Sequence, residues 1–130
     1  MIAADTSTWV AFFEGDRGQD IKMLDQALLD RQVLMVPVVL TELLSDPKLP
    51  SSVVETLEDV PMIELQVGYW RRAGALRAKV LTARRKTRLG DALIAQTCID
   101  SGIFLLTRDR DFRAFGEAAG LSLVYSDMKN

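Results

Sequence analysis

Five short apolar runs, separated by segments with helical spacing, constrain the fold of this chain more than any other feature. The runs cover residues 1–4, 33–36, 62–65, 103–106 and 121–125. Each is short and mostly apolar, which is typical of strands that are covered on both faces. Strands that alternate with helices form right-handed crossovers and a mainly parallel sheet. The sequence therefore predicts an α/β fold, a three-layer α/β/α sandwich with a central, mainly parallel sheet of about five strands.

The segments between the apolar runs predict seven helices. Ser7 or Thr6 is expected to cap the first, which ends near Gly15, and Pro37 is expected to open the third. The others are predicted at about 19–31, 52–58, 67–84, 91–101 and 111–119. The helix at 91–101 is apolar on nearly all sides and should be buried. A length of 130 residues fits a single domain over residues 1–130.

The residue inventory excludes several kinds of chemistry. The chain has no histidine and one cysteine, Cys98. Histidine-dependent hydrolysis, histidine-ligated zinc, a disulfide framework and an iron–sulfur cluster are therefore excluded. One free thiol, no visible signal peptide and no apolar run long enough for a membrane span predict a cytoplasmic protein.

Four acidic residues are prominent because of their positions. Asp5 and Asp109 follow the first and fourth predicted strands, Asp91 begins the predicted buried helix, and Glu42 lies among apolar neighbours on the third helix. Ligands of such folds bind at the carboxyl ends of the strands. Each acid also has a structural interpretation, since an Asp can cap a helix and Glu42 can face solvent. The combination favours a shared site more strongly than any single residue does.

Carboxylates gathered in one pocket repel each other, and a hard divalent cation relieves that repulsion. Ligands that are all oxygen select magnesium or manganese over zinc or copper. Such a metal, in a protein without histidine, predicts the activation of water for attack on a phosphate.

At these positions the sequence resembles the PIN-domain ribonucleases, in particular VapC-type toxins of bacterial toxin–antitoxin pairs. The matching segments are ADTS at 4–7, TELL at 41–44, GDALIA at 90–95 and LTRDRDF at 106–112. The resemblance implies a PIN-like fold and a Mg²⁺- or Mn²⁺-dependent endoribonuclease that cleaves single-stranded RNA. It also implies a small antitoxin partner and a homodimer.

The resemblance also assigns residues. Asp5, Glu42, Asp91 and Asp109 would be catalytic, with Asp5, Asp91 and Asp109 as metal ligands. Ser7, Thr107 and Asp111 would support them, although Asp111 is an alternative to Asp109 as the fourth acid.

Basic residues are concentrated just before Asp91. Eight of the 16 Lys and Arg residues lie between residues 71 and 88, a stretch without Asp or Glu. Arg84, Arg85 and Arg88 are predicted to contact RNA phosphates, and a solvated surface is the alternative interpretation.

Other functions remain as alternatives. A response-regulator receiver fits poorly, because it needs a Lys after the last strand and none occurs there before Lys129. A haloacid-dehalogenase-like phosphatase also fits poorly, because it needs an Asp two residues after its nucleophile and position 7 is Ser. A non-toxin PIN-like RNA-processing nuclease and a non-catalytic PIN-like binding module are closer alternatives. The second is disfavoured because none of the four acids is missing.

Overall fold

The computed structural model describes residues 1–126, which form a three-stranded sheet and seven α-helices. In chain order the elements are β1 (Ile2–Ala4), α1 (Thr6–Phe13), α2 (Gln19–Leu29), α3 (Pro37–Leu44), α4 (Ser51–Asp59), α5 (Tyr69–Thr82), α6 (Leu89–Ser101), β2 (Phe104–Thr107), α7 (Arg113–Ala119) and β3 (Leu123–Tyr125). A short 3₁₀ turn, Arg110–Phe112, joins β2 to α7.

The sheet is parallel, with the order β1–β2–β3. The prediction of about five strands was wrong in number. The apolar runs at 33–36 and 62–65 contribute only single parallel bridges, Ile2 to Val33 and Met35 to Met62. The first of these runs is cut short because Pro37 already begins α3, and Val36 accepts a helical hydrogen bond from Leu40. Each of these segments therefore makes an isolated bridge and does not form a further strand of the sheet.

Helices cover both faces of the sheet, which confirms the α/β architecture. Successive residues of a strand point to opposite faces, and Ala3, Ala4, Leu105 and Leu106 are all buried. α1 packs against α2 and α3, and α5 packs against α6 and α7. No helix within residues 1–126 has the length and apolar character needed to cross a bilayer.

Two helix starts differ from the sequence prediction. The cap of α1 is Asp5, whose side chain accepts a hydrogen bond from the Thr8 backbone N–H, and not Ser7 or Thr6. α6 is buried as predicted but begins at Leu89, so Asp91 is its third residue and not its cap. Both differences place a carboxylate beside free backbone N–H groups at a helix N-terminus, where negative charge is stabilised.

Candidate metal centre

Asp5 leaves the carboxyl end of β1 and is held by three hydrogen bonds. Its Oδ1 accepts from Ser7 Oγ (2.7 Å) and from the Thr8 backbone N–H (3.1 Å). Its Oδ2 accepts from Thr107 Oγ1 (2.7 Å) at the end of the neighbouring strand β2. The register explains this contact, because Ala4 pairs with Leu106 and the next residues are therefore adjacent. The position of the Asp5 carboxylate is thus fixed by both strands.

Thr107 also holds Asp109, the acid that follows β2. Its Oγ1 accepts from the Asp109 backbone N–H (3.0 Å) while it donates to Asp5. Asp109 Oδ1 in turn accepts from the Asp111 backbone N–H (2.9 Å), which caps the 3₁₀ turn. A single buried hydroxyl therefore links the two acids at the carboxyl edge of the sheet.

Asp91 enters the same site from the first turn of α6. Its side chain is buried, and its Oδ2 has no hydrogen-bond partner within residues 1–126. A buried carboxylate oxygen without a partner costs free energy unless something compensates its charge. The oxygen is therefore available for a ligand.

The four predicted acids line one cleft of about 260 Å³, called here the acidic cleft. It is lined by Asp5, Thr6, Ser7, Glu42, Arg88, Asp91, Ile94 and Asp109. A carboxylate oxygen from each of Asp91, Asp109 and Asp111 lies within 4.8 Å of the other two. These three residues are called here the carboxylate triad. Asp91 and Asp109 thus belong to both groups, whereas Asp5 belongs only to the acidic cleft and Asp111 only to the carboxylate triad.

Glu42 lies at the mouth of the acidic cleft and not in the core. It is exposed, which is one of the two interpretations that the sequence left open. Its Oε1 accepts from Thr6 Oγ1 (2.6 Å), which ties α3 to α1. A Cβ at Gly90 would lie 3.7 Å from Glu42 Oε2, so this oxygen faces the start of α6.

The electrostatics of the acidic cleft oppose full ionisation of its acids. Burial, partly offset by the hydrogen bonds from Ser7, Thr107 and Thr8, raises the pKa of Asp5 from 3.8 to about 6. Burial and the negative charge of Asp109 raise the pKa of Asp91 from 3.8 to about 6. The nearby Arg88 opposes the second shift only in part. Added positive charge in the acidic cleft would favour the ionised forms.

The donor set fits a hard divalent cation. All donors are carboxylate oxygens, three of them lie close enough to share one ion, and Asp91 Oδ2 lacks another partner among the described residues. Magnesium and manganese prefer such oxygen ligands.

The three predicted RNA contacts occupy different places. Arg88 lines the acidic cleft beside Asp91. Arg85 lines a separate basic pocket, where it forms an ion pair with Glu117. Arg84 is exposed and adopts a left-handed backbone (φ 58°) just after α5.

One structural pair beside the site was missed from the sequence. Arg108, between Thr107 and Asp109, is buried and donates to Asp20 through Nε (2.8 Å) and Nη2 (3.1 Å). Its backbone N–H donates to Ser7 Oγ (3.0 Å), so the pair adjoins the support of Asp5. One signal was present, because Asp20 lies four residues before Leu24 and so on the apolar stripe of α2.

The fold is thus a parallel α/β sheet whose carboxyl edge, where such folds bind ligands, carries a cluster of carboxylates. The sequence model of the PIN domain matches residues 2–118. The chain therefore belongs to the PIN domain family.

Solved structures agree with this assignment at the level of the fold. VapBC2 from Rickettsia felis, bound to a DNA fragment from its promoter, is 20% identical with a TM-score of 0.74, over 98% of this chain and 100% of that chain. VapBC-5 from Mycobacterium tuberculosis is 24% identical with a TM-score of 0.67, over 95% and 97%. DNA-bound VapBC from Salmonella typhimurium is 16% identical with a TM-score of 0.71, over 96% and 98%. No curated protein gave a significant sequence match.

Proposed function

We propose that this protein is a divalent-metal-dependent endoribonuclease that cleaves single-stranded RNA. The observation that carries the proposal is the acidic cleft, where Asp91 Oδ2 is buried without a partner in residues 1–126. Carboxylates held this close repel each other, and a bound cation stabilises their ionised forms. A carboxylate-bound metal at a strand edge is suited to phosphodiester hydrolysis.

Asp91 and Asp109 would hold the metal, and Asp5 and Asp111 would add further oxygen ligands. A bound Mg²⁺ or Mn²⁺ would neutralise charge on the phosphate and lower the pKa of a bound water. Ser7 and Thr107 keep Asp5 oriented through their hydroxyl groups.

Glu42 would act on the proton of the attacking water. Its Oε1 is engaged by Thr6, which leaves Oε2 to accept that proton at the mouth of the acidic cleft. Arg88, on the same wall as Asp91, would pair with a phosphate oxygen of the substrate.

The proposal extends to a role as a toxin with a small antitoxin partner. Its support is the fold similarity to VapBC structures, one of which is described as belonging to a family of toxin–antitoxin systems. A basic side chain of the antitoxin would compensate the carboxylates in the absence of metal, which is the chemistry that the acidic cleft offers. The chain would act in the cytoplasm as a homodimer.

The first experiment separates metal binding from cleavage. The wild type, Asp91→Asn and the control Asp25→Asn, an exposed position on α2, are mixed with a single-stranded RNA pool and Mn²⁺. We expect Asp91→Asn to lose more than about 100-fold in rate, the size of a lost electrostatic contact to the transition state. Mn²⁺ should also raise the free energy of unfolding of the wild type, by about 2.7 kcal/mol at 100 times Kd. Cleavage that persists in excess EDTA would refute the proposal.

The second experiment concerns the toxin role. Expression of the wild type alone should arrest bacterial growth, whereas expression of Asp5→Ala should not. Normal growth with a soluble wild type that cleaves RNA in vitro would favour the alternative of an RNA-processing nuclease.

A further inference from the structure

A second pocket adjoins the carboxylate triad and has the opposite charge. This basic pocket has a volume of about 170 Å³ and is lined by four cations and one acid: Arg85, Lys86, Arg110, Arg113 and Asp111. Its walls come from the loop before α6 and from the 3₁₀ turn that leads into α7. Neither Arg110 nor Arg113 was singled out by the sequence, because they lie outside the basic stretch at 71–88.

The cations of the basic pocket are only partly compensated. Arg85 forms an ion pair with the exposed Glu117. The Arg113 guanidinium lies 4.3 Å from the centre of the Tyr125 ring, which orients it without removing its charge. Within residues 1–126, Lys86 and Arg110 have no carboxylate oxygen within 4.0 Å. The basic pocket therefore has an excess of positive charge available for a ligand.

Asp111 connects the basic pocket to the metal centre. It lines the pocket, and one of its carboxylate oxygens lies within 4.8 Å of oxygens of Asp91 and Asp109. The two sites are thus neighbours that share one wall. A single strand of nucleic acid carries one phosphate per nucleotide, so successive phosphates are the chemistry that two adjacent sites of this kind suit.

The backbone keeps the wall before α6 in place. The Arg84 N–H donates to the Leu81 carbonyl (2.9 Å), and the Arg85 N–H donates to the Val80 carbonyl (3.1 Å), which closes the end of α5. The left-handed conformation of Arg84 turns the chain at this point. Arg85 and Lys86 therefore extend from a hydrogen-bonded helix end towards α7.

We propose that the basic pocket binds a phosphate of the RNA strand next to the phosphate held at the metal centre. This inference rests on the proposed function. The pocket has a volume of about 170 Å³, which is large enough for a phosphate group. Planar guanidinium groups pair bidentately with phosphate oxygens. Arg110 and Lys86 are the contacts, and Arg85 and Arg113 shape the walls.

The experiment compares two double variants with the same loss of charge. Lys86→Ala/Arg110→Ala changes the basic pocket, and Lys22→Ala/Arg71→Ala removes one Lys and one Arg from exposed positions outside both sites. Binding of a fluorescent single-stranded RNA is measured in EDTA at several salt concentrations, so that no metal-dependent cleavage occurs. Thermal melting checks that both variants remain folded.

We expect the pocket variant to lose one phosphate contact. The slope of log K against log salt should fall by about 0.7 relative to the control variant, the value for one phosphate on a single strand. Affinity should fall about fivefold relative to the control, as for an exposed charge pair of about 1 kcal/mol. Equal slopes and affinities for the two double variants would overturn the inference.

Metal-dependent cleavage of the same RNA by the wild type distinguishes the two proposals. If the wild type cleaves and the two double variants bind alike, the nuclease proposal holds and the phosphate subsite is wrong. If the wild type does not cleave but the slopes differ as expected, the nuclease proposal fails and the basic pocket remains a phosphate site.

Discussion

Replacing Asp20 with Asn tests whether the buried pair beside the site is as important to stability as its geometry implies. Asp20 is fully buried, and the Arg108 side chain is only 3% exposed. The Asp20 carboxylate accepts two hydrogen bonds from Arg108 and one from Thr8 Oγ1 (2.9 Å). Asn keeps the shape but removes the charge. The buried Arg108 guanidinium then keeps the half-exposed Asp16 at 3.6 Å as its remaining carboxylate, together with the Arg17 carbonyl.

The expected loss of stability follows from that arrangement. Removing one partner of a buried ion pair costs about 3–5 kcal/mol. A domain of this size has a free energy of unfolding of about 5–15 kcal/mol, so the loss is a large fraction of the total. It corresponds to a fall in Tm of about 10–20 °C for 130 residues.

The assay is urea unfolding followed by the fluorescence of the buried Trp9 and by circular dichroism. Asp25→Asn, on the exposed side of the same helix, is the control and should change stability by less than about 0.5 kcal/mol. The double variant Asp20→Leu/Arg108→Met removes both charges and should recover most of the loss. Equal unfolding midpoints for Asp20→Asn and Asp25→Asn would refute the reasoning.

The same pair predicts a pH dependence. Burial alone would raise the pKa of Asp20, but the hydrogen bonds from Arg108 and Thr8 outweigh it, so the pKa lies below 3.8. A carboxyl with a depressed folded-state pKa contributes stability that is fully present above its unfolded pKa and is lost as the pH falls through the folded value. The stability difference between the wild type and Asp20→Asn should therefore be constant from pH 5 to 7 and shrink below about pH 4.

Three further predictions concern single positions. Burial, together with the charge of Asp5, raises the pKa of the buried Cys98 thiol to about 12. An aromatic disulfide reagent at pH 8 should therefore label Cys98 only after urea is added. Labelling of the folded protein at the rate of free cysteine would contradict this. Because Arg84 has a φ of 58°, Arg84→Gly should be more stable than Arg84→Ala by about 0.5–1 kcal/mol in urea unfolding, and equal midpoints would show that the backbone is not strained there. Glu42→Gln should lose about 10²–10⁴-fold in cleavage rate but keep the stabilisation by Mn²⁺, and loss of that stabilisation would instead make Glu42 a metal ligand.

The sequence was sufficient to predict the order of the elements and the edge at which the acids meet. Short apolar runs identify buried strands, and the carboxyl ends of parallel strands share one edge, so Asp5 and Asp109 were predicted to lie at the edge where ligands bind. That their two strands are neighbours is seen only in the structure. The number of strands was not predictable in the same way. A run of four residues such as 33–36 satisfies the apolar pattern, but the proline that follows decides whether a ladder forms or only a bridge.

The buried pair was missed for a different reason. A charged residue is rarely buried without a partner, and no local pattern connects Asp20 to Arg108, which lies 88 residues away. The sequence could mark Asp20 as unusual on the apolar stripe of α2, but only the fold supplies the partner. Arg108 itself was taken as part of a matching segment and given no role.

For Asp5 and Asp109, capping a helix and lining the acidic cleft are compatible roles. Asp5 caps α1, Asp109 caps the 3₁₀ turn, and both line the acidic cleft. The two roles coincide because a helix that follows a strand begins at the carboxyl edge of the sheet, where its free N–H groups favour a carboxylate. An N-cap Asp uses one oxygen for the backbone, and the other remains for a neighbour. In Asp5 the second oxygen receives Thr107, the hydroxyl that also holds Asp109. Capping therefore orients these acids for the cleft, and a strand–Asp–helix junction that recurs on neighbouring parallel strands predicts a shared site better than either junction alone.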